Sequence, residues 1–269
     1  MNLLDAIVLG IIQGLTEFLP VSSSGHLVIG KALLGVQVQG IAFEVFVHFG
    51  TLLSVIVVYR KDILILIQSV VAGLGKPSRI RQIYRNDKNL RLAFYIILAT
   101  LPAGLIGLFF SSSIETAFNE EKTVSFLLIV TGIVLLLTRV VGVKDREMKL
   151  SHAMLIGFAQ ALAILPGISR SGSTISVALY IGISREEAAR FSFLLAVPVI
   201  LGATILKLFE LFENVPPASQ LYSLATGTVA AFVSGYAAIK LLLVFVRKGR
   251  LDYFAWYCFA LGSFGLIYF

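Results

Sequence analysis

Two short apolar stretches, each cut off by a proline and a polar turn, constrain this chain more than anything else in it. Residues 3–15 run into Glu17-Phe18-Leu19-Pro20, and residues 153–165 run into Pro166-Gly167. Thirteen helical residues cover about 20 Å at a rise of about 1.5 Å each, against a hydrocarbon core about 30 Å thick. Each stretch therefore reaches only part-way across a bilayer before it turns. A second short apolar piece follows each turn, at 27–35 and 174–183. The pattern predicts two re-entrant helical hairpins, 2–36 and 151–183, tolerated at membrane depth only where protein or water surrounds the turn. Six other segments are long enough to span: 41–59, 92–110, 123–141, 190–208, 221–246 and 252–269. The fold class is an all-α polytopic membrane protein. Charged residues make up 14% of the chain, against roughly 25% in a soluble domain, and alternating ten-residue strands for a β-barrel are missing. Asp5 stands where a signal peptide would carry a basic region, so a cleaved leader is not expected.

The hairpins resemble each other. A shift of 147 places Gly10 on Gly157, Gln13 on Gln160, Leu15 on Leu162, Ser22 on Ser169, Ser24 on Ser171 and Gly25 on Gly172. A hairpin returns to the side it came from, whereas the three spans that follow it change sides. The second unit (147–269) must then be inverted relative to the first (1–146), as in many secondary transporters. The basic residues agree. Arg60, Lys61, Lys76, Arg79, Arg81, Arg85, Lys88 and Arg91 follow span one, and Arg139, Lys144, Arg146 and Lys149 follow span three. Arg247, Lys248 and Arg250 follow span five, and Arg170, Arg185 and Arg190 belong to the second hairpin and its exit. Together these are 18 of the 22 Lys and Arg, which the positive-inside rule assigns to the cytoplasm. Glu115, Glu120, Glu121, Glu210 and Glu213 lie in the opposite loops. Both termini are then expected outside, with the two turns meeting inside the membrane. The net charge of +7 reflects these basic loops and not a nucleic-acid partner. Cys258 is the one cysteine, so no intrachain disulfide forms.

The first turn, TEFLPVSSSGHL, holds Glu17, Ser22, Ser23, Ser24 and His26; the second, PGISRSGST, holds Ser169, Arg170, Ser171, Ser173 and Thr174. An intramembrane charge costs about 2.5–3.5 kcal/mol on insertion scales, so Glu17 and Arg170 are expected to face one hydrated cavity. Arg170 offers a planar fork suited to phosphate. The hydroxyls and the N-termini of the second hairpin helices also favour an anion. Gln13 and Glu17, four apart, share a helical face. Their oxygens suit a hard divalent cation, Mg²⁺ or Ca²⁺, that also binds phosphate. His26 titrates near neutrality and can move a proton. The set points to phosphoryl chemistry on a lipid. Plainer roles exist for each group: serines cap helices, a histidine can be structural, and Glu17 can merely pair with Arg170. His48 and His152 lack comparable company and read as structural. Glu44 is either interfacial or part of the site.

At these residues the chain resembles the undecaprenyl-diphosphate phosphatase, or bacitracin-resistance, family. Gln13 and Glu17 match its Glu/Gln-x3-Glu pattern. Pro166, Gly167, Ser169, Arg170, Ser171 and Thr174 match P-G-x-S-R-S-x-x-T, and His26 in PVSSSGH matches its histidine. SREEAARFSFLLAVP, 184–198, is also family-like. The resemblance spans the chain and implies hydrolysis of C55 polyprenyl diphosphate to the monophosphate plus phosphate with a divalent metal. Glu17 and Gln13 are then metal ligands, Arg170 a phosphate clamp, His26 a proton carrier or nucleophile, and Ser23 the competing nucleophile. Ser22, Ser24, Ser169, Ser171 and Thr174 are candidate substrate-binding groups. Two departures stand out: Gln13 is the neutral variant, and a glutamine is expected where the chain has His48.

SSGH also occurs in type-2 phosphatidic acid phosphatases. Those need Lys-x6-Arg-Pro and Ser-Arg-x5-His, whereas Ser176 and Phe191 stand six beyond Arg170 and Arg185. The other alternative is an inverted-repeat transporter or flippase of a polyprenyl phosphate. The expected partners are a polyprenyl diphosphate lipid and the bacterial inner membrane. The site would open to the outer side, and a homodimer is left open.

Overall fold

A computed structural model describes residues 2–34, 42–110, 114, 116, 117, 120–142, 144–213 and 218–269. Residues 35, 36 and 41, which close or open expected elements, and Glu115 of an expected outer loop lie outside them. Among the described residues twelve α-helices carry the fold: α1 (Leu3–Phe18), α2 (Ser23–Leu34), α3 (Ala42–Val58), α4 (Arg60–Leu74), α5 (Ile80–Asn86), α6 (Lys88–Phe109), α7 (Glu121–Leu137), α8 (Leu150–Leu162), α9 (Arg170–Tyr180), α10 (Arg185–Glu213), α11 (Ala218–Lys248) and α12 (Asp252–Tyr268). No strand occurs among the described residues. The protein is an all-α polytopic membrane protein. Among the described residues four helices, α6, α7, α10 and α11, are long and apolar enough to cross a bilayer. At 17 residues each, α3 and α12 reach about 25 Å. Leu105, Phe126, Val233 and Ile267 are exposed on the outside of the bundle, where lipid takes the place of water as the solvent for apolar side chains.

Both short apolar stretches fold as helix, turn, helix. A reciprocal cap starts α1: the Asp5 N–H donates to Asn2 Oδ1 at 2.8 Å and the Asn2 N–H to Asp5 Oδ2 at 3.2 Å, satisfying two donors the helix leaves open. It stops where Leu19 turns extended at φ −62°, ψ 142°, the conformation a following proline demands. Ser22 at the tip takes φ 67°, left-handed backbone that seldom suits a residue other than glycine. Its Oγ accepts from the Gly25 N–H at 3.3 Å, opening α2. In the second hairpin Ser169 does the same for Gly172 at 3.1 Å, opening α9, and Gly167 takes φ +97°.

The stretch after span one departs from expectation. It was read as a basic connecting loop, but α4 is a helix that leaves α3 at an angle of 81°. Arg60, Lys61 and Asp62 open it, and these charges hide an apolar continuation from Ile63. The basic connections also gather at one end. Arg190 pairs with Asp62 at 2.7 Å and Arg247 with Glu186 at 3.3 Å, while the Arg146 N–H donates to the Gly182 carbonyl at 2.9 Å.

Packing crosses between the two halves of the chain. The first hairpin helix α1 lies on α11, and the second hairpin's α8 lies on α6; α3 also packs on α11, α10 on α6, and α7 on α12. Small residues permit these approaches. A Cβ on Gly14 would lie 2.5 Å from the Ala231 carbonyl, and one on Gly157 2.5 Å from that of Ala99. The largest apolar core surrounds Phe18, Ile175, Phe191, Phe193 and Ile239. The Phe18 and Phe193 rings meet edge-on at 5.8 Å, locking the end of α1 against α10 just where Glu17 is placed.

Candidate active site

Glu17 is the last polar residue of α1 and is buried, with 7% of its side chain exposed. Its two oxygens are held separately. Oε1 accepts from Arg170 at 3.0 Å. Oε2 accepts from Ser23 Oγ at 2.7 Å and from Gln13 Nε2 at 2.9 Å. The groups come from both hairpins, so the two tips do meet. They interlock by backbone as well: a Cβ on Gly25 would lie 3.3 Å from Gly167 Cα, and one on Gly172 3.3 Å from the Pro20 side chain. Ser171 Oγ donates to the Leu19 carbonyl at 3.3 Å. Each tip is also pinned by the third long helix of its opposite half. Thr131 donates to the Gly167 carbonyl at 2.8 Å, and the Cys258 thiol to that of Pro20 at 3.8 Å.

His26 does not join Glu17. Its Nδ1 lies 2.8 Å from the Ser22 carbonyl, which can only accept, so Nδ1 carries the proton and Nε2 accepts from the Tyr257 hydroxyl at 2.7 Å. Ser23, Ser24 and His26 are partly exposed, whereas Ser22, Ser169, Ser171 and Thr174 are buried. Ser24 Oγ lies 3.2 Å from Ser22 Oγ. Thr174 bonds inward to the Arg170 carbonyl at 2.8 Å and to Ser192 Oγ at 2.6 Å. Among the proposed phosphate groups, Ser23, Ser24, His26 and Arg170 therefore face the open side, and the others hold the turns in shape.

Two residues belong here that the sequence did not bring forward. His48, read as structural, points Nε2 at Glu17 Oε2, 3.9 Å away, and its Nδ1 lies 2.7 Å from the Glu44 carbonyl. Glu44, His48 and Thr51 form a polar stripe at helical spacing in an apolar helix, a signal that was available. Tyr257, 231 residues from its partner His26, left no local trace. Glu44 itself pairs with Lys31 at 2.6 Å.

Among the described residues no group of three or more His, Cys, Asp or Glu is set to hold a metal. Glu17 and Gln13 fit a looser demand. The Gln13 Oε1 is buried without a hydrogen-bond partner, and a hard ion that shares its shell with phosphate oxygens and water needs only one or two protein oxygens.

The protein is thus a polytopic helical membrane protein whose two hairpins bring a carboxylate, a serine and an arginine together at their tips. The sequence matches the family described as Bacitracin resistance protein BacA over residues 6–264, and the chain belongs to that family. It is 46% identical over 264 residues to the undecaprenyl-diphosphatase of Salinibacter ruber, covering 97% of each chain. The Methanobrevibacter smithii protein of that name is 42% identical over 270 residues, covering 97% of this chain and 96% of its own. That of Geobacter sulfurreducens is 43% identical over 272 residues, covering 100% and 98%.

Proposed function

We propose that the chain is an undecaprenyl-diphosphate phosphatase, releasing phosphate from the C55 lipid diphosphate and leaving the monophosphate. The observation that carries the reading is the Glu17 carboxylate, with Ser23 Oγ at 2.7 Å on one oxygen and Arg170 at 3.0 Å on the other. A serine hydroxyl on a carboxylate is an activated nucleophile, and a guanidinium beside it clamps phosphate. His26, with both ring nitrogens engaged elsewhere, is less suited to attack.

Ser23 Oγ attacks the terminal phosphorus and its proton passes to Glu17. The bond from that phosphorus to the bridging oxygen breaks, and undecaprenyl monophosphate leaves with the electron pair. Water then cleaves the phosphoserine, Glu17 returns its proton to Ser23, and dihydrogen phosphate departs. Arg170 and the N–H groups opening α2 and α9 hold the phosphate oxygens. Ser24 adds a hydroxyl, and His26 exchanges protons at the mouth of the site with Tyr257 fixing its ring. Glu17 and Gln13 would hold a Mg²⁺ or Ca²⁺ ion, whose chemistry is to neutralise charge on the diphosphate.

The halves 1–146 and 147–269 are read as an inverted-topology repeat. Support comes from contacts that recur under the 147-residue shift: Gly25 on Gly167 answers Gly172 on Pro20, and Ser22 capping Gly25 answers Ser169 capping Gly172. We place the protein in the bacterial inner membrane with both termini outside and the site open to the outer side; the clustering of basic connections at one end supports this. Assembly as a homodimer belongs to the same proposal. The deciding experiment is phosphate release from undecaprenyl diphosphate by the purified protein, with and without chelator. No release in the presence of Mg²⁺ or Ca²⁺ would overturn the reading.

A further inference from the structure

The geometry points to His48 as an imidazole ligand of the cation held at Glu17, giving this site a nitrogen donor and a preference for first-row divalent ions over Ca²⁺. The inference rests on the phosphatase reading only for where the cation acts, not for the cation's being bound.

Tautomer and distance carry the argument. The Glu44 carbonyl, 2.7 Å from His48 Nδ1, accepts only, so Nδ1 bears the proton. In the neutral ring Nε2 then has a lone pair, and it faces Glu17 Oε2 at 3.9 Å. An imidazole lone pair aimed at a carboxylate is repelled unless a hydrogen-bond donor or a cation lies between them. A proton would draw the pair to a hydrogen-bond length of about 2.7–3.2 Å, well inside the distance found. A metal fits better: ligands about 2.1 Å away from one ion stand roughly 3–4 Å apart, depending on the angle between them. A ligating histidine also usually donates its other N–H to a backbone carbonyl, which fixes the ring, and His48 does this through Glu44.

Gln13 completes the set. Its amide nitrogen donates to Glu17 Oε2 at 2.9 Å, while its Oε1 is buried and unbonded. The two ends of an amide are interchangeable in shape, so the same side chain turned over sets an oxygen beside the carboxylate. Carboxylate, amide oxygen and imidazole then leave the remaining positions to phosphate and water. Nitrogen donors favour first-row ions, whereas Ca²⁺ prefers oxygen.

Mn²⁺ added to the purified protein in detergent tests this by pulsed electron paramagnetic resonance. We expect a directly coordinated ¹⁴N coupling in the unaltered protein that shifts with ¹⁵N-histidine labelling. It should vanish in His48→Gln and persist in His152→Asn and His26→Asn. No nitrogen coupling in the unaltered protein, or one that survives His48→Gln, overturns the proposal, and the first of these needs no variant to fold. His48→Gln should also weaken Mn²⁺ binding by about tenfold or more while leaving Ca²⁺ binding within about threefold, because glutamine supplies the oxygen that Ca²⁺ prefers. Equal loss for both ions overturns it as well. Nitrogen coupling without any phosphate release would sink the phosphatase reading alone. Phosphate release without the coupling would sink this one alone.

Discussion

Arg170 reaches Glu17 from the opposite hairpin, and the proposed phosphate clamp would use its fork as well as its charge. Lysine at this position keeps the charge and loses the paired donors. Arg170→Lys is therefore expected to lower phosphate release by at least about tenfold, with an unchanged elution profile on size exclusion; near-normal turnover would mean charge is enough. Glu17→Gln keeps the side chain's shape and an acceptor for Ser23 but removes the proton acceptor and the anionic metal ligand. Phosphate release should fall on the order of a hundredfold or more, and excess divalent ion should recover little of it. Ser23→Ala removes the proposed attacking oxygen and should leave no phosphoenzyme trapped by acid quench, whereas His26→Asn should still form one. At this scale the sequence was informative where chemistry is clustered along the chain: Glu17, Ser23 and Arg170 are all legible in two short turns. It was silent on Tyr257, because the turn around His26 says nothing about which helix arrives beside it. For His48 the polar stripe with Glu44 and Thr51 marks a face of α3, but which neighbour that face meets is fixed only when α3 is placed against α1.

The helices meet where side chains have been removed. Gly14 leaves no room for a Cβ beside Ala231 and Ser234 of α11. Gly14→Val should lower the apparent melting temperature in detergent, from overpacking of roughly 1–3 kcal/mol or more. Gly104→Ala on α6, whose Cβ would meet nothing within 4 Å, should leave it unchanged or raise it slightly. Equal sensitivity at the two positions would mean that close helix approach is not what Gly14 provides. The hairpins were legible because length is a hard limit: thirteen residues cannot cross a bilayer, and proline stops a helix. The helix α4 was not, because its opening Arg-Lys-Asp looks like the polar end of a span. Only tertiary contact, such as Asp62 with Arg190 at 2.7 Å, shows that those charges open a second helix and not a loop.

Across the whole molecule, the distribution of Lys and Arg fixes the expected orientation. In a Cys258→Ala background, a cysteine at position 2 or 269 should react with a membrane-impermeant reagent added outside intact cells, and labelling from the cytoplasmic side alone would refute both termini lying outside. Cys258 is buried and donates to the Pro20 carbonyl, so replacing it clears the background at the loss of one weak bond. The Glu17–Arg170 ion pair, one of the links between the two halves at the site, has a last consequence. On the proposed reading the Glu17 carboxylate competes with phosphate for the Arg170 guanidinium. A diphosphate, with more charge to offer, would then displace that carboxylate more readily than the monophosphate left after hydrolysis, and the pair re-forming behind the product would help expel it. With divalent ions chelated in both proteins, removing the carboxylate should make the protein hold the monophosphate longer, which a slower dissociation of undecaprenyl phosphate from Glu17→Gln than from the unaltered protein would register directly.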